Sequence, residues 1–385
     1  MPPVKSATIT ALDKKLSEKQ ALADSYLARE NRKQSLWDGP YEASSHGGLT
    51  FSMLSRWLCC RESFRLYAVE EIKTAEAFDG KMEYGNLWHT CEEYLAAGQP
   101  WEPALLKHAQ GLGKRYPQNS HEVLKWYNIC KIQFPIYVKH WAKHEDVKTR
   151  QPYYQEHVFN VPYTLPSGRV VNLRGKFDSV DTFSKNRVRK LYLQENKSKS
   201  EVGPTKIVAD LSFELQTMMY LIVLSLSEEI PVGGIRYNVI RRPLSGWGKY
   251  NIQQKKGMGK AKKGAETEEQ FYQRLGELIK ENAGNKEAPF FFRCRAEVSQ
   301  QDLDDFKNQC LNPVLEQLCD WWDSIKDDPF NPWMTHGKPN KYNFRWPYGV
   351  WNAKLEGRGT RLDNFMATGD MDGLQRVENL FTELG

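Results

Sequence analysis

The chain has 385 residues, 40% hydrophobic and 26% charged, proportions that suit a globular protein with a sizeable core and exclude a disordered or fibrous chain. A formal net charge of +6 permits a polyanionic partner without requiring one. The N-terminal stretch MPPVKSATITALDKKLSEKQ has no apolar h-region, and no apolar window approaches the length of a membrane span. The seven cysteines, an odd number with no CxxC, argue against a secreted disulfide scaffold and for reduced thiols in a cytoplasm-like compartment.

Residues 1–48 read as a polar leader with one short helix, closing in the loop SSHGG. From Leu49 to about residue 150 the pattern is helical. LTFSMLSRWLCCRESFRLYAVEEI carries Leu54, Trp57, Leu58, Phe64 and Tyr67 at helical spacing, with Thr50 or Ser52 as N-cap. YGNLWHTCEEYLAAG predicts a second helix closed by Gly98. HEVLKWYNICKIQFPIYVKHWAKH predicts a third, interrupted at Pro135.

Near Pro152 the texture turns to strands. YYQEHVFNVPYTL and RVVNLRGKFDSVDTF flank the turn signal PSG, and RKLYLQEN follows as a third strand. TKIVADLSFELQTMMYLIVLSLSEE predicts one long helix, and GGIRYNVIRRP and PFFFRCRAEV two later strands. Residues 151–298 therefore form an α/β core, a central mixed β-sheet flanked by helices. A Lys- and Gly-rich loop at 246–265 interrupts it. From residue 299 to 385, Ser299 caps a helix with Asp302 at the capping-box position, and an irregular Trp- and Pro-rich wrap ends in a short helix.

The chemistry concentrates where KLYLQENKSKS ends. On a strand, Leu191, Leu193, Glu195 and Lys197 share a face, so an apolar face finishes in a carboxylate and an ammonium. The preceding strand carries Asp178. If the two strands are neighbours in the right register, Asp178 and Glu195 converge, and two carboxylates held close call for a cation. Mg2+ suits such oxygen donors, with the Asn196 carbonyl as a third. Lys197 beside the ion holds the attacking water or offsets charge on a pentavalent phosphate, a recipe for phosphodiester hydrolysis. The alternative is an exposed, salt-bridged strand end. Asp181, three residues from Asp178, points to the other face; Glu156 on the first strand is a candidate outer or second-metal carboxylate.

These residues resemble the PD-(D/E)XK nuclease superfamily, and more narrowly its RecB-like branch of Cas4, AddB-type and phage-encoded nucleases. TFSMLSRWLCCRESF is similar to that branch's opening helix, with Arg61 where the family has Pro. YGNLWHTCEE resembles its Gly-x-x-x-His motif (Gly85, His89), RGKFDSV its Gly-x-x-Asp strand (Gly175, Asp178) and FELQTMMYLIVL its Gln-x-x-x-Tyr helix (Gln216, Tyr220). The resemblance covers residues 49–325 and implies a restriction-endonuclease-like core with helical N- and C-terminal additions. It implies Mg2+ or Mn2+ held by His89, Asp178, Glu195 and Asn196, catalysis by Asp178, Glu195 and Lys197, and Gln216 and Tyr220 orienting the DNA strand or Lys197. Some relatives carry an iron–sulfur cluster; THGKPNKYNFRWPYGVWN has no cysteine to build one, so none is expected.

Lys255, Lys256, Lys260, Lys262 and Lys263, with glycines between them, suit non-specific contact with DNA phosphates. GMGKAKKG fails the P-loop spacing, so no nucleotide cofactor is expected, and any unwinding falls to a helicase or recombination partner. The function expected is a metal-dependent exonuclease of DNA recombination, repair or degradation in the cytoplasm. The competing reading is a DNA-binding or assembly subunit with the same fold and no cleavage.

Overall fold

A computed structural model describes residues 36–44, 46–69, 71–74, 77–144, 149–185, 188–211, 214–244, 249–252, 266–326, 374–381 and 384. Among the described residues the longer α-helices are α1 (Phe51–Cys59), α2 (Gly80–Ala96), α3 (Trp101–Arg115), α4 (Ser120–Trp141), α5 (Pro204–Leu211), α6 (Leu215–Ser227), α7 (Glu268–Asn282), α8 (Gln300–Phe306) and α9 (Asn312–Ile325). The strands are β1 (Ile72–Thr74), β2 (Gln151–Thr164), β3 (Val170–Lys185), β4 (Val188–Lys199), β5 (Val232–Arg241), β6 (Phe291–Glu297) and β7 (Leu374–Arg376). Five strands make one mixed sheet in the order β2-β3-β4-β5-β6. Within it β3–β4 and β5–β6 are antiparallel and β4–β5 parallel. This is the restriction-endonuclease-like α/β architecture that the sequence predicts.

The contacts divide the chain into two compact units. One takes the described residues of Met1–Glu76, Asn160–Gly175 and Leu311–Gly385. Its core is aromatic: Trp37 packs edge-on against Phe64 and Trp322, with ring centroids 5.3 and 4.7 Å away. The other unit, Ala77–Phe159 and Lys176–Cys310, holds α2, α3, α4 and α7 around Leu87, Trp88, Phe134, Leu275 and Phe291. All the candidate catalytic and metal-binding residues belong to it.

Local chemistry explains most boundaries. Thr50 caps α1, its hydroxyl accepting from the Met53 N–H. After α2 the chain reverses at Gly98 (φ +68°), where the Gln99 N–H reaches the Tyr94 carbonyl. Ser299 and Asp302 form the expected capping box on α8.

Three expectations are corrected. The helix α4 runs unbroken through Pro135, because Phe134, Gln133 and Tyr137 around it are buried and hold the segment in place. The predicted long helix after β4 is two helices, and Glu214 (φ −63°, ψ +136°) is the extended N-cap of the second. Residues 374–376 form β7, antiparallel to β1, a strand read as helical from sequence, and the last residues, where a short terminal helix is expected, are only partly among the described ones. Lys255, Lys256, Lys260, Lys262 and Lys263, the leader up to residue 35 and the wrap at 327–373 lie outside the described residues. No helix among the described residues is long and apolar enough to cross a membrane.

Candidate active site

The register puts the two acidic segments side by side. The β3–β4 ladder runs from Lys185↔Val188 to Ser179↔Gln194, so Asp178 and Glu195 come next. There the Asp178 carboxylate enters the pattern: its Oδ2 accepts the Asn196 backbone N–H at 3.3 Å. Beyond this point β4 alternates between two neighbourhoods. Glu195 shares a row with Tyr237, whose hydroxyl meets Thr217 of α6 at 2.8 Å. Asn196 shares a row with Asn238, which meets Tyr137 of α4 and Glu92 of α2.

His89 on α2 brings Nδ1 to 3.9 Å from Asp178 Oδ2. Glu156 on β2 completes the group: one donor atom each from His89, Glu156 and Asp178 lie within 4.8 Å of one another. Glu156 reaches this place through its backbone. Its φ of +46° is rare for a residue with a side chain and breaks the strand's alternation. Tyr154 and His157, an odd number of residues apart, consequently stack with centroids 3.9 Å apart and rings 10° from parallel. Non-glycine residues held in this region cost about 1–3 kcal/mol and concentrate at functional sites. Lys176 Nζ lies 2.6 Å from Glu156 Oε2.

Lys197 is held from three sides. Its Nζ is 2.7 Å from Glu195 Oε1, donates to Gln216 Oε1 at 2.9 Å and lies 3.7 Å from Glu214 Oε2. Gln216 therefore meets Lys197, one of the two partners its motif suggested. Tyr220, one turn further along α6, is 6% exposed and packs edge-on against Phe159 and Phe177. Its ring therefore packs among core aromatics at the foot of the site. Asp181 turns away as expected: it is fully buried, with Arg236 at 2.7 Å and Arg150 at 3.6 Å.

The electrostatics are those of crowded, desolvated acids. Burial, then repulsion from Glu156, raises the Asp178 carboxyl above the ordinary carboxylate range. Burial, then the charge of Asp178, does the same to Glu195. Burial alone would push Lys197 down, but Glu195 and Glu214 raise it above the usual lysine range, so its ammonium persists at neutral pH. The grouped donors, the carboxylates of Asp178 and Glu156 and the imidazole of His89, fit Mg2+ or Mn2+, the imidazole leaning toward the latter. Glu195 stands outside the 4.8 Å group, its Oε1 engaged by Lys197.

Glu214 and Lys176 flank the site without having been singled out, although both lie inside the motifs FELQ and RGKFD. Their positions depend on how the strand and helix ends approach each other, which neither motif encodes.

The family model of the PD-(D/E)XK nuclease superfamily matches residues 48–311, more than half of the chain. The chain belongs to this superfamily, whose members are nucleases that use divalent metal ions. No curated protein matches the chain.

Proposed function

We propose that the protein is a Mg2+- or Mn2+-dependent deoxyribonuclease, an exonuclease of the RecB/Cas4-like branch acting in DNA recombination, repair or degradation. The observation that carries this reading is the convergence of His89, Glu156 and Asp178 within 4.8 Å, next to a Glu195–Lys197–Gln216 chain. The motif order His89, Asp178, Glu195-x-Lys197, Gln216 supports the branch.

His89, Glu156 and Asp178 would hold the ion, with Glu195 and the Asn196 carbonyl completing its shell on the β4 side. A divalent ion in such a donor set neutralises phosphate oxygens and acidifies water. Lys197, steered by Glu195 and Gln216, presents its ammonium to the attacking water and to the charge that builds on the phosphate. Water gives up a proton to solvent as it attacks phosphorus, the bond from phosphorus to the leaving deoxyribose oxygen breaks, and that oxygen takes up a proton from solvent. Lys255, Lys256, Lys260, Lys262 and Lys263 would supply sequence-independent phosphate contacts.

The test is incubation of linear and covalently closed circular DNA with Mn2+, with Mg2+ or with EDTA, beside Asp178→Ala and Lys197→Ala. The expected result is metal-dependent loss of linear DNA from its ends, abolished in both variants. Full activity in either variant, or in EDTA, overturns the reading; cutting of the closed circle overturns the exonuclease part alone.

A further inference from the structure

A polar row crosses the sheet at the level of the metal donors. Asn196, Asn238 and Arg293 are paired in register on β4, β5 and β6. Asn238 Nδ2 reaches Asn196 Oδ1 at 3.0 Å, Tyr137 Oη at 2.7 Å and Glu92 Oε1 at 3.0 Å. Tyr137 in turn donates to Glu92 Oε1 at 2.9 Å, and Arg293 Nη2 approaches the Tyr137 hydroxyl at 3.4 Å. Asn196 Oδ1 also receives Gln194 Nε2 at 3.5 Å.

The setting is otherwise aromatic. Tyr137 packs edge-on against Trp88 and Phe291 at 5.1 and 5.4 Å, and Asn238 is 1% exposed. Polar groups buried in such a place cost stability unless every member is satisfied, so an apolar contact would join helix and sheet more simply. What the row adds is a grip on one peptide. The Asn196 side chain is held by Asn238, and the Asn196 N–H donates to the Asp178 oxygen that faces His89. A carboxylate's terminal torsion is broad by itself, so this N–H selects its orientation.

We propose that Tyr137 and Asn238 are positioning residues: with Glu92 they clamp Asn196, whose N–H aims the Asp178 carboxylate at the space shared with His89 and Glu156. The proposal rests on the metal-site reading above. It extends that reading to residues on α4 and β5 that touch neither ion nor DNA.

The experiment is Mn2+ titration of the full chain, by calorimetry and by the Mn2+ paramagnetic resonance signal, for wild type, Tyr137→Phe, Asn238→Ala and Asp178→Asn. Tyr137→Phe keeps the ring and its aromatic contacts, so it guards against a variant that does not fold. Loss of an outer-shell partner should raise the Mn2+ Kd about 10–100-fold in both network variants. Their kcat should fall while KM for DNA changes little, and the spectrum of bound Mn2+ should differ from wild type. A merely structural role would lower the urea midpoint yet leave the Kd of the folded protein unchanged; that result in both variants overturns the proposal alone. Absence of Mn2+ binding by wild type, or wild-type binding by Asp178→Asn, overturns the metal reading and the proposal with it.

Discussion

Asp178 and Asp181 lie three residues apart on β3, and their substitution by Asn should give opposite results. Asp181 is fully buried against Arg236, itself 1% exposed, with Arg150 at 3.6 Å. Asn is isosteric and still accepts a hydrogen bond, so the substitution removes the negative charge and leaves a buried guanidinium without its counter-ion. Breaking a buried pair in this way costs about 3–5 kcal/mol. With a urea dependence of ~3 kcal/mol/M, the unfolding midpoint should drop by roughly 1–1.7 M. Asp178 is instead desolvated among Glu156 and Glu195, and its raised carboxyl already reports the cost of its charge. Asp178→Asn should leave the midpoint in EDTA unchanged or higher. It should weaken Mn2+ binding by more than the ~10–100-fold of an outer-shell loss. Urea unfolding followed by circular dichroism, paired with Mn2+ calorimetry, reads both quantities. A wild-type midpoint for Asp181→Asn, or a destabilised Asp178→Asn that still binds Mn2+ tightly, would refute the assignment of one carboxylate to the fold and the other to the ion.

The remaining expectations concern pH and the two lysines. Asp178 and Glu195 both have folded values raised above their unfolded ones, so the folded state holds extra protons. Their contribution to stability is complete below the ordinary carboxylate range near 4 and is lost as pH rises through the raised folded values. In EDTA, the urea midpoint of Asp178→Asn should gain on that of wild type between about pH 4 and pH 7, and Mn2+ should reverse the trend. Lys197→Met should lower single-turnover cleavage about 100–1,000-fold while Mn2+ still binds, and Lys197→Arg should fail to restore it, because a planar fork does not fit the place of a compact ammonium. Lys176 and a divalent ion contend for Glu156, so Lys176→Met should tighten Mn2+ binding, as measured by calorimetry; weaker binding would contradict that competition.

Sequence alone carried the parts governed by short-range rules. Strand alternation placed Glu195 and Lys197 on one side and separated Asp181 from Asp178. Capping chemistry marked Gly98 and Ser299 and narrowed the first N-cap to Thr50 or Ser52, and helical spacing put Gln216 and Tyr220 one turn apart on α6. What failed depended on contacts distant in sequence. The helix α4 tolerates Pro135 because its neighbours are buried. β1 is a strand because β7, some three hundred residues later, pairs with it. The packing of the Tyr220 ring against Phe159 and Phe177, on two other elements, was likewise not legible in its own segment. The same division runs through the site. Each donor is visible as a residue type, but only the fold gives Glu156 its left-handed backbone, sets Lys176 against it and runs a hydrogen-bonded row from Glu92 to Asp178. Alternation and capping act within a few residues, whereas the separation of two charged atoms depends on every element that packs between them.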